Sequence, residues 1–516
     1  MATRPTASGP THSLIQGKRR PAPGAPGSPT PPPPPPPPPA PPNPWVGLNV
    51  LGTADFIGGK KRKNLAYQAR PFSPPPGSFG ANGWPIYAPG TSGLTRFFNA
   101  MDGHYATGNV VFTYEGIGTL TPLGCTLVSS VPGRVVANIV TPDNVGIGYT
   151  VEDQDSGDPL RNVAVFYESD EAGLADPWAP DYKTFLQPFK ALRFMEAQRI
   201  NGSTVTDWSS RSLETWWTQT TAQNNKGFPL EWCLDLAQEL GRDPWVCIPH
   251  LATDDYIHEA AILCLSKLTP GRKVIVEYSN EIWNDLFPQG LEIQALGEVI
   301  WPLDQPAIAR RKYWSRRSRE IFDIFAAEMG GTSSLCRVVA SQYGPNTSIG
   351  EYVLDFEDLK DHCDAYAVAP YFGGRACRAG SGHPFSVPPT DIDVFLDAVD
   401  LEVDVTLAHL AASKAVATNR GLDLFCYESG DAFVPVGAFN TAPFLALLEA
   451  TRTNPRMQDI YDHYLEGLQA GGVALNCHFG DMQRDASSGC WGSAEYLHPA
   501  DWSQEFKYQA LIAQNA

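Results

Sequence analysis

The sequence predicts an α/β protein: an eight-stranded (β/α)8 TIM barrel carrying a β-sandwich-like insertion after its first strand and a Pro-rich segment ahead of it. Three observations carry the prediction. Eight short apolar strand-like runs can be counted, and the last seven alternate with helical sequence, the rhythm of a parallel sheet covered by helices. The stretch from residue 76 to about 170 holds β-branched and aromatic runs with no helical period. The tract 21–44 is Pro/Gly/Ser/Thr-rich, with unbroken proline from Pro31 to Pro39.

Taken in order, residues 1–44 read as a disordered N-terminal segment and Pro-rich linker: the tract 21–44 has no large apolar side chain to offset the entropy of ordering and favours an extended polyproline II spacer that tethers another module. Residues 45–75 supply the first barrel strand, Val46 to Val50, and a loop. Residues 76–180 form the inserted module, with strands near 109–115, 125–128, 134–140 and 162–167 separated by Gly, Pro, Asn and Asp. Its Trp84, Tyr87, Phe97 and Phe98 are candidate exposed sugar contacts, although a structural module narrowing one end of the cleft is favoured.

Residues 181–516 complete the barrel. The second strand is 191–196, and a helix follows over 229–240 with Pro229 in its first turn and Gly241 as its stop. Strands at 245–249 and 273–278 precede a long helix over 307–329. Strands at 336–340 and 365–369 lead to a helix over 401–420 closed by Gly421. A strand at 422–427, helical sequence over 443–469 and a strand at 473–477 finish the ring. An open Rossmann-like sheet is the main competitor, but no G-x-G-x-x-G follows any strand.

Composition bounds the function. A net charge of −18 argues against nucleic-acid and anionic-membrane partners. No stretch approaches 18 consecutive apolar residues. The one basic cluster, Lys60-Lys61-Arg62-Lys63, reads as a solvated loop. Cys247, Cys426 and Cys477 fall in apolar runs as small hydrophobes, while Cys363/Cys377 and Cys477/Cys490 are spaced for loop-closing disulfides. No Cys or His spacing implies a metal, and no cofactor is expected. A monomer is expected. The spacer favours an extracellular setting, whereas residues 1–20 lack the apolar centre of a secretory signal.

Barrel active sites lie at the C-terminal ends of the strands. The fourth strand runs into Ser279-Asn280-Glu281-Ile282-Trp283-Asn284 and the seventh into Tyr427-Glu428-Ser429-Gly430. Alone, Glu281 is explained as a carboxylate complementing a helix dipole and Glu428 as a loop residue. Together, after strands four and seven, they are the two carboxyls that glycosidic cleavage needs. Glu277 and Glu196, inside strands, are less reachable alternatives for the acid.

The Asn280-Glu281 pair after strand four with Glu428 after strand seven resembles the clan A, or 4/7, glycoside hydrolases, cellulase-like in character. The resemblance spans about residues 45–510 as architecture and identifies no family within the clan. It implies a retaining double displacement with Glu281 as acid/base and Glu428 as nucleophile, their carboxyls about 5–5.5 Å apart. It also implies that Asn280 meets the sugar 2-hydroxyl and that Arg193 and His250 surround the nucleophile. Tyr371, after strand six, would donate to Glu428, and Trp491, after strand eight, would stack on sugar. Trp208 after strand two is a further candidate platform. The expected partner is a β-linked polysaccharide or oligosaccharide, cut in an endo-β-glucanase manner. Exo-glycosidase, xylanase or mannanase action is the related alternative, and a non-catalytic carbohydrate-binding protein on a degenerate barrel is the alternative of another class.

Overall fold

The computed structural model describes residues 44–141, 146–220, 227–483, 487 and 489–516. The expected spacer at 1–44 therefore lies outside the described residues, except for Pro44.

Eight parallel strands close into a barrel. They are β1 (Val46–Asn49), β2 (Ala191–Arg193), β3 (Asp243–Ile248), β4 (Val274–Tyr278), β5 (Leu335–Ala340), β6 (Ala365–Val368), β7 (Asp423–Cys426) and β8 (Val473–His478). Each pairs with the next, and β1 closes the ring by pairing Gly47 with Cys477 on one side and Asn49 with Arg193 on the other. The two-residue period of a strand sorts the side chains. Trp245, Cys247, Ile275, Val338, Phe425, Leu475 and Cys477 fill the barrel interior. Val246, Ile248, Val276, Leu424 and Cys426 face outward and join the larger core under the helices. Gly47 marks a close approach between strands: a Cβ there would lie 2.7 Å from Cys477 Sγ and 2.8 Å from the Ala191 carbonyl oxygen.

The helices start and stop where their local chemistry dictates. Helix Leu230–Leu240 ends on Gly241, whose φ of 63° suits the left-handed stop. Helix Asp254–Lys267 begins at Thr253, whose side chain accepts from Tyr256 N, and carries Asp254 and Asp255 in its positive first turn. The helix expected from 401 begins earlier, at Ile392, where Asp391 accepts from two backbone amides. The helical stretch near 443–469 divides into Ala442–Thr451 and Arg456–Ala470, because Pro455 between them has no N–H to continue the ladder. Among the described residues no helix is long and apolar enough to cross a membrane.

Between β1 and β2 stand a four-stranded antiparallel sheet (Gly108–Glu115, Thr126–Val131, Arg134–Ile139, Arg161–Tyr167), a three-stranded one (Ser92–Phe98, Thr119–Leu123, Ile147–Glu152) and a two-stranded ribbon. Val110, Phe112, Val135 and Val165 of the first sheet share one apolar core with Phe97, Tyr149 and Val151 of the second. Trp84, Tyr87, Phe97 and Phe98, considered as exposed contacts, are buried in that same core.

Two further expectations are corrected. The basic cluster is no solvated loop. Lys60 pairs with Asp170, Lys63 with Asp176, and Lys61, 1% exposed, with Asp481 at 2.6 Å. Those aspartates stand more than a hundred residues away in sequence, so local composition could not reveal the pairing. The disulfide spacing also misleads: all ten cysteines are free, and nine are buried as small core hydrophobes.

Candidate active site

The barrel brings Arg193, Glu277, Asn280 and Glu428 to one buried point. Arg193, the last residue of β2, is 0% exposed. Its Nε and Nη2 donate to the two oxygens of Glu277 at 3.0 and 3.1 Å. Nη1 donates to Glu428 Oε1 and to Asn49 Oδ1, both at 2.9 Å, and Nη2 also donates to Asn280 Oδ1 at 2.8 Å. The planar fork of a guanidinium suits such a fixed array, which a lysine could not serve. Burial opposes its charge, but Glu277 and Glu428 outweigh that and hold Arg193 protonated well above the ordinary arginine value.

Glu428 follows β7 and accepts a hydrogen bond on each oxygen: Arg193 donates to Oε1, and the Tyr371 hydroxyl donates to Oε2 at 2.9 Å. Burial, then the nearby charge of Glu428, push the Tyr371 hydroxyl far above its usual pKa, so it remains a donor. Trp491 sets its ring edge-on to Tyr371, 5.2 Å between centroids, and to Phe479 at 5.5 Å.

Glu281 sits differently. The chain leaves β4 through Ser279 and Glu281 in left-handed backbone, φ 59° and 43°, which non-glycine residues adopt at a cost. This turn aims Glu281 Oε1 at the Tyr427 hydroxyl (3.2 Å) and Oε2 at Asn284 Nδ2 (2.8 Å), both of which donate. Burial first, and the charge of Glu428 second, raise its pKa to about 7; the two donors and Arg193 pull the other way without prevailing. Two carboxyls in one site with unlike environments can divide acid from nucleophile or base.

The remaining candidates are placed as follows. Asn280 has its amide occupied by Arg193 on one side and by Asn201 Oδ1, 3.0 Å from its Nδ2, on the other. His250 follows β3 and places Nε2 2.6 Å from Glu292 Oε2, while its Nδ1 is buried without a partner. Trp208 lies under the Arg211 guanidinium, 3.9 Å from the ring centroid, and edge-on to Tyr256. Glu196, half-exposed, pairs with Arg199; burial and then, against the pull of Arg199, the charge of Glu428 raise its pKa. Among the described residues no group of His, Cys, Asp or Glu side chains is arranged to hold a metal ion.

Asn49, Gln289 and Tyr427 have supporting roles that sequence reasoning missed, and Glu277, an alternative for the acid, has a supporting role instead. Asn49 Nδ2 donates to the carbonyls of Tyr427 (2.9 Å), Cys477 and His478 (3.2 Å each), tying β1 to β7 and β8 beneath Glu428. Glu277 also accepts from Trp245 Nε1 at 2.9 Å, so it is the buried counter-ion of Arg193 and stands below the rim. Gln289 braces Asn201 and the Asn280 carbonyl. Tyr427 donates to Glu281 from the residue just before Glu428. For Asn49 and Glu277 the available signal was a lone amide or acid on the inward face of an apolar strand.

No family model and no curated protein matches the chain. Solved structures similar to it are glycoside hydrolases. They include the GH51 arabinofuranosidase from Xanthomonas axonopodis pv. citri, at 13% identity over 60% of this chain and 61% of that one, with a TM-score of 0.35. A 4-O-α-L-rhamnosyl-β-D-glucuronidase from Fusarium oxysporum 12S matches at 12% identity over 65% of each chain, with a TM-score of 0.42. A Bacteroidetes-affiliated GH5 cellulase matches at 12% identity over 65% of this chain and 84% of its own, with a TM-score of 0.39. The chain thus spans less than two thirds of the length of the first two.

Proposed function

We propose that the protein is a retaining glycoside hydrolase that cleaves β-linked polysaccharide, with Glu428 as nucleophile and Glu281 as acid/base. The observation that carries this reading is the electrical asymmetry of the pair. Glu281 titrates at about 7 and so keeps a proton to give near neutrality. Glu428 instead accepts hydrogen bonds from a cation and a phenol, the partners of a carboxylate. The sequence resemblance carried by Asn280-Glu281 and Glu428 supports the same division of roles.

In the first step a Glu428 oxygen attacks the anomeric carbon while Glu281 protonates the departing glycosidic oxygen. Once the leaving alcohol has departed with the proton of Glu281, Glu281 is an anion and the charge of Glu428 has been neutralised as the glycosyl ester. The repulsion that raised the Glu281 pKa is thereby removed, which suits it to act as base toward water in the second step. Arg193 and Tyr371 donate to the Glu428 carboxylate, whose charge is consumed as the ester forms in the first step and restored when water displaces it in the second. Asn49 and Glu277 hold Arg193 in place throughout.

The test compares the parent, Glu281→Gln and Glu428→Gln on soluble β-glucan, xylan and mannan. Both variants should lose hydrolysis by a hundredfold or more, in line with the usual ~10²–10⁴ contribution of an acid/base group. Glu281→Gln should recover its first step on an aryl glycoside whose leaving group needs no proton. Undiminished hydrolysis in both variants would refute the roles, and binding without cleavage by the parent would make the protein a non-catalytic carbohydrate binder.

A further inference from the structure

The basic cluster ahead of the inserted module leaves one cation unused. Lys60, Lys61 and Lys63 each meet an aspartate. Arg62 between them is half-buried, its Nε has no hydrogen-bond partner, and among the described residues Glu214, Asp235 and Asp176 act on it only from a distance. Its guanidinium lies 3.4 Å from the centroid of the Trp232 ring and 4.6 Å from that of Trp178. Burial lowers its pKa to about 10, which leaves it charged at neutrality. A buried guanidinium held by ring faces alone still has its in-plane donors to satisfy.

Arg62 faces a cleft of about 590 Å³ between the inserted module and the loop after β2, lined also by Tyr67, Trp84, Glu214 and Trp216. Trp216 is half-exposed and its ring is built into the wall. It lies across Gly83, where a Cβ would come within 2.1 Å of the ring and where φ is 71°. The exposed Glu214 and Asn82 at the rim offer polar groups to hydroxyls. A planar cation with free donors beside an indole face matches a ring that carries a carboxylate.

We propose that this cleft is a second carbohydrate site, apart from the Glu281–Glu428 pair, that takes a uronate residue of a polysaccharide with its carboxylate on Arg62 and its ring on Trp216. The choice of a sugar rests on the glycosidase reading; the unpaired cation and its rings do not. A chain carrying acidic side groups would then be held by the inserted module while the barrel acts on its backbone.

The test uses the full chain carrying Glu428→Gln, so that binding is read without hydrolysis and a failure of the catalytic roles leaves it intact. Calorimetric titration compares a glucuronate-bearing xylo-oligosaccharide, its neutral counterpart and sodium acetate. The acidic sugar should bind about tenfold or more tighter than either, and weaken as salt rises. Arg62→Gln and Trp216→Ala should each remove that preference, while in chains with Glu428 intact both keep full hydrolysis of short neutral substrates. Trp216→Ala carries the test if Arg62→Gln does not fold, since Trp216 is only partly buried. Equal affinity for acidic and neutral sugars, equal affinity for acetate, or a preference unchanged in Trp216→Ala would overturn the proposal.

Discussion

Glu281→Gln should leave the protein as stable as the parent at pH 4.5 and make it more stable at pH 8. The carboxyl titrates at about 7 in the folded chain against an ordinary 4.5. Its folded pKa is raised, so the native state binds the proton more tightly than the unfolded state does. That contribution is fully present below 4.5 and is lost as pH rises through 7. The interval is 7 − 4.5, or about 2.5 pH units; at 1.36 kcal/mol each, the ionised form is disfavoured by about 3 kcal/mol at pH 8. Gln is neutral at every pH and nearly the shape of the protonated acid, so the variant escapes that penalty. Paired thermal melts at pH 4.5 and 8 read the effect. With unfolding entropy scaling with chain length, roughly 3 °C is expected at pH 8 and none at pH 4.5. A difference that stays constant with pH, or a parent that gains on the variant as pH rises, would refute the electrostatic reasoning.

Other expectations follow from the same contacts. Because the acid must be protonated, kcat/KM should fall above about pH 7; Asn284→Ala removes a donor that favours the ionised form, so its pH profile should show that limb displaced to higher pH. Tyr371→Phe removes one of the two hydrogen bonds on Glu428, and steady-state kinetics should show kcat/KM lower by about tenfold with stability little changed. Arg193→Met leaves Glu277 and Glu428 buried without their cation, and urea unfolding should register a loss of about 3–5 kcal/mol. Gly47→Ala forces a methyl against Cys477 and the Ala191 carbonyl, for which about 1–3 kcal/mol is expected by the same assay.

The barrel was legible because each strand is a short apolar run and each helix carries its own signals, such as Thr253 and Gly241. Glu281 and Glu428 were legible because a barrel converts strand number into angular position, so two residues 147 positions apart, from 281 to 428, could be set on one rim. What sequence could not disclose is pairing that exists only after closure. Asn49 reads as the polar end of a strand, yet it bridges the carbonyls of Tyr427, just past β7, and of Cys477 and His478 in β8. Glu277 reads either as an alternative acid or as a buried hydrogen-bonded partner, and only closure identifies Arg193 and Trp245 as what occupies its oxygens. The same limit made the lysine cluster read as solvated, since each aspartate partner arrives from a distant segment. Aromatic content misled in the opposite direction. Trp84 and Tyr87 suggest sugar contacts in the sequence, but a thin two-sheet module needs large rings to fill its own core.

The division of labour between Glu281 and Glu428 is tested most directly by the anomeric configuration of the first product. Proton NMR of the parent acting on a β-linked oligosaccharide that it hydrolyses should show the β-anomer at the earliest times, with the α-anomer growing in later by mutarotation. That outcome corresponds to carboxyls about 5–5.5 Å apart and a covalent glycosyl–Glu428 intermediate. An α-anomer appearing first would mean that water attacks directly across a wider gap of about 6.5–9.5 Å, and Glu428 would then be a base rather than a nucleophile.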